Sequence, residues 1–225
     1  MSAFFEGRSS DSPHVEYIWR GHVEEDYDPV CPADVRWNLL FMKYQEKVRV
    51  SVEGATTQFV PKHQFKGAEF LVIKFKLGVF MPYLSPANVV NGDAILPGAS
   101  QSAFWLNGFA WDMPDFDNVE NFVDRLVRED ILVTQSLVTE TLSEKSPDVS
   151  SRTVRRHFQQ ATGLTPKTIE QIERANRANL LLQQGTPILD TVYELGYSDQ
   201  PHMTRSLKRF VGFTPGEILA QAESA

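Results

Sequence analysis

Two segments in the C-terminal part of the chain combine basic side chains with the apolar spacing of an amphipathic helix. In the first segment, Val154, Phe158 and Ala161 recur at helical spacing and predict a face that packs against a core. Ser150 is expected to cap this helix and Gly163 to end it. The opposite face carries three arginines: Arg152, Arg155 and Arg156. Guanidinium groups on the first turns of a capped helix can bind guanine or phosphate in a major groove, and a solvated basic face is an equal alternative.

The second segment has the order helix, sharp turn, helix. The first helix is expected over residues 188–195, with Pro187 in its first turn, and Gly196 permits the turn that follows. Asp199 is a natural N-cap for the next helix, and Pro201 is tolerated in its first turn. Three apolar residues are expected to face the core: Met203, Leu207 and Phe210. Five polar side chains remain for solvent or DNA: Gln200, His202, Arg205, Lys208 and Arg209. This order is typical of a helix-turn-helix.

A single helix is predicted between the two segments, over residues 166–184. One stripe along it is expected to consist of Ile169, Ile172, Asn176, Asn179 and Leu180. About 19 residues at ~1.5 Å each give a length of ~28 Å. Recognition helices held about one DNA turn apart, ~34 Å, can read successive major grooves on one face of a duplex. The spacing therefore favours two units that read DNA together.

The net charge of −7 hides an uneven distribution. Residues 1–124 hold 10 Lys and Arg against 17 Asp and Glu, whereas residues 125–225 hold 12 of each. Within residues 149–212 there are 9 basic and 5 acidic side chains, a local charge of +4. Attraction to phosphate depends on where cations are presented, so the acidic total does not exclude a nucleic-acid partner.

The front part of the chain is predicted to be rich in strands, and the rear part to be helical. Strands are expected over residues 15–23, 36–44, 48–52 and 69–75, followed by a short helical or irregular segment over 78–85. Helices are expected from Asn118, a plausible N-cap, and over residues 131–142. The fold class is therefore α+β. We expect a β-rich domain over residues 1–117 and an all-α domain with two helix-turn-helix units over 118–225.

Composition limits the cellular setting. Cys31 is the only cysteine, so no internal disulfide is possible. The first residues lack the pattern of a signal peptide, and no apolar run approaches the roughly 18 residues of a membrane span. We expect a cytoplasmic protein without a membrane partner.

The front part offers little for catalysis. Three histidines, His14, His22 and His63, lack the spacing of a metal site, and no nucleophile or phosphate-loop motif is present. We expect no enzyme activity, no catalytic residue, no metal and no cofactor. Four tryptophans could line a pocket, but a place in the core is favoured: Trp19, Trp37, Trp105 and Trp111.

The C-terminal part resembles the DNA-binding domain of the AraC/XylS family of bacterial transcription regulators over residues 125–220. The resemblance rests on the sequences RTVRRHF at 152–158, TGLTP at 162–166, GYSDQ at 196–200, MTRSLKRF at 203–210 and GFTP at 212–215, with Arg174-Ala175, Ala178 and Leu181-Leu182 between them. It implies a sequence-specific regulator that binds double-stranded DNA. It also implies that Arg152, Arg155 and Arg156 reach bases from the first recognition helix. Gln200, His202 and Arg205 would reach bases from the second, with Thr204, Lys208 and Arg209 nearer the phosphates.

Residues 10–112 resemble, through Gly67 to Leu84 and Leu106 to Pro114, the β-rich domain of one AraC-like subgroup. The resemblance implies sensing of an unidentified small-molecule effector, homodimer formation or both. Contact with another protein, such as RNA polymerase, is the second interpretation. A third is a small-molecule-binding or catalytic β domain whose helical tail no longer binds DNA. The first turn of the family's DNA-binding domain usually holds a glycine, but residues 143–149 have none. The first helix-turn-helix unit is therefore expected to be distorted.

Overall fold

The computed structural model describes residues 3–142 and 149–223. The glycine-free connection lies outside these ranges apart from Val149. Strands dominate the front part and helices the rear part, so the α+β class is confirmed. None of the helices in these ranges has the length and apolar character needed to cross a membrane.

Most of the strands belong to one antiparallel sheet with the order β1-β2-β7-β4-β5-β9. The strands of the described residues are β1 (Ala3–Ser9), β2 (Val15–Val23), β3 (Val30–Cys31), β4 (Asn38–Tyr44), β5 (Lys47–Glu53), β6 (Val60–Pro61), β7 (Glu69–Phe75), β8 (Val79–Phe80), β9 (Asp93–Leu96), β10 (Ala103–Leu106), β11 (Phe109–Asp112) and β12 (Val133–Thr134). The other pairs are β10–β11, β8–β12 and β3–β6. The four strands predicted from composition are therefore present.

The helices follow in chain order and lie mostly behind the strands in sequence. They are α1 (Pro86–Val89), α2 (Val119–Arg128), α3 (Ser136–Leu142), α4 (Ser151–Thr162), α5 (Pro166–Gln183), α6 (Ile188–Glu194), α7 (Gln200–Phe210) and α8 (Pro215–Glu223). Asn118 stands at the N-cap of α2, but its side chain makes no cap bond and accepts instead from the Asp115 N–H.

Two predicted segments are wrong in part. Val79 and Phe80, expected to be helical or irregular, form β8, which pairs with β12. The expected helix over 131–142 begins only at Ser136, because β12 occupies Val133–Thr134. A short apolar run suits a buried strand as well as a helix, and only the pairing of residues 80 and 133 decides between them.

The described chain forms two compact units. The first contains Met1–Asp28, Arg36–Ala55 and His63–Leu164, and the second contains Pro29–Val35, Thr56–Lys62 and Thr165–Ala225. The first unit thus holds the large sheet and helices α1 to α4, whereas the second holds the β3–β6 ribbon and helices α5 to α8. The predicted domains 1–117 and 118–225 follow the change of pattern in the sequence and stay a prediction.

The core of the first unit lies on one face of the sheet. Ile18, Ile73, Leu39 and Val52 stand opposite one another across four neighbouring strands, and all four are fully buried. Such cross-strand apolar pairs stabilise a sheet. The ring of Phe122, on α2, packs against the rings of three residues: Phe41, Phe104 and Trp111. This cluster fixes α2 on the sheet.

The tryptophans divide between core and surface. Trp37 and Trp111 are buried, as the core interpretation predicts, and Trp19 is half-buried. Trp105 is 46% exposed, because its neighbours Phe104 and Leu106 point to the buried side of β10. The core interpretation is therefore wrong for Trp105.

Helix α5 is central to the second unit. It buries Ile169 and Ile172 as predicted, but the buried stripe then continues elsewhere: Ala175, Ala178 and Leu182. The predicted members Asn176 and Asn179 are half-buried, and Leu180 is 54% exposed. Asn176 instead donates a hydrogen bond of 2.8 Å to the carbonyl of Ala33.

The β3–β6 ribbon and its flanking residues are bonded to the end of α7. The Ala33 N–H donates to the Phe210 carbonyl (2.7 Å), and the Phe59 N–H donates to the Arg209 carbonyl (3.3 Å). The last carbonyls of a helix lack partners within the helix, so these bonds complete the C-terminus of α7. Gly212, at a φ of 94°, passes close to the side chains of Val30 and Phe59.

Candidate nucleic-acid interface

Helix α4 has the ends that its sequence predicts. The Ser150 hydroxyl accepts from the Thr153 N–H at 3.2 Å, and Gly163 ends the helix at a φ of 74°. Phe158 and Ala161 are buried, whereas Val154 is only half-buried. The apolar face predicted for α4 is therefore confirmed in its second half and incomplete in its first.

Three arginines stand on the exposed side of α4. Arg152, Arg155 and Arg156 are all exposed. Within the part of the chain that the structure describes, none of them has an ion-pair partner. Their donors are thus available to an anionic ligand, and a guanidinium suits both phosphate and guanine.

The C-terminal end of α4 is in close contact with the segment around α1. A Cβ atom added to Gly163 would lie 2.5 Å from Val90 Cγ2 and 3.2 Å from Pro86 Cβ. The Thr162 hydroxyl, which is buried, donates to the Phe158 carbonyl and accepts from the Leu164 N–H. The position of α4 is therefore set by the first unit, to which it belongs.

Helices α6 and α7 form the predicted helix-turn-helix. Gly196 has a φ of 64°, and Asp199 caps α7 by accepting from the His202 N–H at 2.6 Å. Pro201 lies in the first turn of α7. Pro187 occupies the N-cap position of α6 rather than its first turn, which is a small correction of the prediction. The predicted core residues of α7 are buried: Met203, Leu207 and Phe210.

The polar residues of α7 lie on its other side. Five of the six predicted contact residues are exposed: Gln200, His202, Arg205, Lys208 and Arg209. Thr204 is half-buried, and its hydroxyl donates to the Gln200 carbonyl at 2.9 Å. The Arg209 guanidinium lies over the ring of Phe210, 4.8 Å from the ring centre. The structure therefore brings these residues together on α7, while their roles toward bases and phosphates stay predictions.

Three residues beside α7 contribute to the surroundings of His202 but were not among the predicted site residues. Ser198 lies 3.1 Å from the imidazole of His202, and the ring of Tyr197 stands edge-on to the same imidazole. Arg174, on α5, lies over the Tyr197 ring. The spacing of four residues between Ser198 and His202 is the one sequence signal that could have indicated their contact.

A cleft of about 790 Å³ opens in the first unit, beside β1, β2, β4 and β7 and the segment 113–116. Its walls include Phe41, Leu71 and Phe116. The Arg20 guanidinium lies over the Phe116 ring, 4.6 Å from its centre, and forms an ion pair of 2.7 Å with Glu6. Apolar walls with a few fixed charges are typical of small-molecule sites.

The front-part histidines are dispersed. His14 contacts the Thr134 hydroxyl, and burial lowers the pKa of its imidazole. His63 pairs with Asp28 at 2.8 Å, and His22 lies 4.0 Å from Glu24. Across residues 3–142 and 149–223, no group of three His, Cys, Asp or Glu side chains is placed to hold a metal ion.

Comparison with known proteins supports the helix-turn-helix interpretation. The profile of a helix-turn-helix domain matches residues 146–221. An uncharacterized HTH-type transcriptional regulator of Bacillus subtilis (strain 168), YbfI, is 41% identical over 48 residues, which cover 21% of this chain. The match spans only 18% of the length of that relative.

Two solved structures of ToxT from Vibrio cholerae align with nearly the whole chain. One, bound to (E)-4-(8-methylnaphthalen-1-yl)but-3-enoic acid, has a TM-score of 0.44 at 9% identity and covers 97% of this chain and 99% of that chain. The other has a TM-score of 0.39 at 9% identity, with 96% and 98% covered. TM-scores below 0.5 do not establish a shared fold.

The helix-turn-helix match and the geometry of α4, α6 and α7 concern the same residues. The motifs at 152–158 and 196–215, on which the resemblance to the AraC/XylS family rests, lie within the matched residues 146–221. Residues 146–221 thus form a helix-turn-helix domain, and the sequence of this domain resembles that of the AraC/XylS family of transcription regulators.

Proposed function

We propose that this chain is a sequence-specific, double-stranded-DNA-binding transcription regulator in which α4 and α7 are the two recognition helices. The observation that carries the proposal is α7. This helix follows a tight turn at Gly196, buries its apolar side and presents its polar side to solvent. A capped helix with one such free side can enter a major groove.

The residues of the two helices have different expected roles. Arg152, Arg155 and Arg156 on α4 contact bases, because each guanidinium can donate two hydrogen bonds to guanine. On α7 the expected base contacts are Gln200, His202 and Arg205. Phosphate contacts fall to the remaining residues of that helix: Thr204, Lys208 and Arg209. Phosphate contacts hold the register of the helix, and base contacts select the sequence.

Two recognition helices would read successive major grooves. Helix α5, which separates them in sequence, has 18 residues. At ~1.5 Å per residue it is ~27 Å long, comparable with one turn of DNA at ~34 Å. Supporting this, the charge within residues 149–212 is +4, although the whole chain carries −7.

The β-rich part of the first unit, which precedes α4 in the chain, is proposed to regulate DNA binding rather than to perform it. Its cleft of about 790 Å³ has the size and the apolar walls to hold a small-molecule effector. Homodimer formation and contact with RNA polymerase are further roles of the same unit. A cytoplasmic location and the lack of enzyme activity belong to this proposal as well.

The proposal is tested by selecting DNA from a random library with the full chain and then measuring affinities of variants. Arg205→Ala should cost about 1–3 kcal/mol on the selected site and relax base preference at one or two positions. Lys208→Ala should weaken binding to all sequences alike and make the slope with salt less steep by ~1. Arg177→Ala, an exposed arginine of α5, is the matched control and should change neither.

Three results would count against the proposal. An Arg205→Ala variant with unchanged affinity and footprint would remove α7 as a reading helix. A control variant that weakens binding as much as Arg205→Ala would indicate general charge attraction. A full chain that retains no DNA would leave the alternative, a small-molecule-binding or catalytic β domain with a helical tail.

A further inference from the structure

The imidazole of His202 is held on two sides. His202 is the third residue of α7, and its N–H is bonded to the Asp199 carboxylate. Its Nδ1 lies 3.1 Å from the Ser198 hydroxyl oxygen. The ring of Tyr197 stands at 86° to the imidazole, with 5.3 Å between the ring centres. Ser198 and Tyr197, which contact the ring, both precede α7 in the chain. The position of the imidazole is therefore set by the turn as well as by the helix.

Tyr197 is itself fixed within the second unit. Its side chain is buried, and its hydroxyl lies 3.3 Å from the hydroxyl of Ser206. The Arg174 guanidinium lies 5.4 Å from the centre of the Tyr197 ring and forms an ion pair of 2.9 Å with Glu170. A ring held from two helices is a rigid support for His202, which an exposed side chain otherwise lacks.

We propose that Ser198 is a positioning residue that fixes the ring and the proton of His202, so that α7 presents a hydrogen-bond donor to one base. A serine hydroxyl can donate as well as accept, and when it donates to Nδ1 of a neutral imidazole, the ring proton is on Nε2. In that form Nδ1 accepts from Ser198, and Nε2–H is directed to solvent. Among the described residues, none forms a hydrogen bond with Nε2.

This inference rests on the proposed function and specifies one feature of the DNA. In the major groove guanine, adenine and thymine each present an acceptor, whereas cytosine presents only its amino donor. An Nε2–H donor can therefore form a hydrogen bond with three of the four bases but not with cytosine. The partner is double-stranded DNA with a base other than cytosine opposite His202.

The test combines base preference with a spectroscopic measurement. Selected DNA should show cytosine disfavoured at one position in the half-site read by α7. Ser198→Ala should reduce that discrimination about 3- to 10-fold, because one hydrogen bond of ordinary strength is lost from the arrangement. Ser198→Thr keeps the hydroxyl and should restore the preference. His202→Ala should abolish the preference at the same position, which identifies the base.

Nitrogen NMR of the free, full-length protein gives the independent readout. We expect His202 protonated on Nε2 in the wild type and in Ser198→Thr, and a mixture of both tautomers in Ser198→Ala. Equal weakening on all sequences by Ser198→Ala would indicate a phosphate contact and overturn the positioning role. An unchanged tautomer in Ser198→Ala would also overturn it. A wild-type protein that binds no DNA would instead overturn the proposed function. The NMR measurement would still show whether Ser198 sets the tautomer of His202.

Discussion

The close approach at the end of α4 makes Gly163 a sensitive position. In Gly163→Ala, an L-residue must adopt a φ of 74°, a left-handed conformation that costs about 1–2 kcal/mol. The new Cβ would also lie 2.5 Å from Val90 Cγ2 and 3.2 Å from Pro86 Cβ. Carbon atoms in contact prefer about 3.5–4.0 Å, so Val90 would have to move by roughly 1 Å.

Neither neighbour can yield easily. A valine side chain is stiff about its first torsion, and the proline ring has little freedom. The Val90 N–H is also bonded to the Pro86 carbonyl at 2.9 Å, so the two residues move together. Overpacking of this kind costs typically 1–3 kcal/mol. Together with the backbone strain, Gly163→Ala should lower the free energy of unfolding by about 2–5 kcal/mol.

The matched control is Gly67→Ala in the same unit. Gly67 has a φ of 82°, but no atom lies within 4 Å of the place its Cβ would take. The free energy of unfolding of Gly67→Ala should therefore fall only by the cost of the left-handed backbone conformation, about 1–2 kcal/mol. Urea unfolding of both full-length variants gives the difference, which we expect to be about 1–3 kcal/mol. A second change, Val90→Ala in Gly163→Ala, should recover part of that difference. Equal losses in the two glycine variants would refute the contact between α4 and Val90.

Three further expectations concern charge and packing. The hydrogen bond from Arg8 lowers the pKa of the Glu120 carboxyl from 4.5 to about 2. The contribution of this pair to the free energy of unfolding is therefore full above the ordinary pKa of 4.5 and is lost as the pH falls toward 2. Glu120→Gln should therefore cost ~1–2 kcal/mol at neutral pH and nothing at acid pH in urea titrations, with the exposed Glu129→Gln as control; equal costs at both pH values would contradict the ion pair. DNA affinity should fall with salt at a log–log slope of roughly −2, as expected if Lys208 and Arg209 meet phosphates, and a flat response would exclude these contacts. The fragment 125–225, which contains the segment that resembles the AraC/XylS DNA-binding domain, lacks the β3–β6 ribbon and should unfold at a lower urea concentration than the second unit in the full chain. Equal midpoints would show that the ribbon does not stabilise α7.

The sequence signals of α7 were sufficient because they are local. Gly196, Asp199 and the spacing of Met203 and Leu207 all lie within a dozen residues, and each acts through its own turn or cap. The positions of the arginines on α4 follow for the same reason. Their expected contacts with DNA depend on a partner and stay predictions.

Features that depend on distant pairing escaped prediction. Strand β12 exists because Val133 pairs with Phe80, and nothing within residues 131–142 indicates that partner. The stripe on α5 was misplaced at Asn176 because its amide bonds to the carbonyl of Ala33, far away in the chain. Val154 is covered less than its spacing suggested. In each case a tertiary contact, rather than local propensity, decides the outcome.

The β3–β6 ribbon also sets an order of events during synthesis. Residues 29–35 and 56–62 leave the ribosome about 150 residues before α7 is complete, which is roughly 8 to 30 s at about 5–20 residues per second. During that time the N–H and the carbonyl of Ala33 lack the partners that α7 and α5 give them in the finished protein. Contacts between such distant segments slow folding, because a long loop must close first. The second unit can therefore close only after the helices that follow Thr165 have been made, and the C-terminus of α7 is completed by residues that were translated among the first.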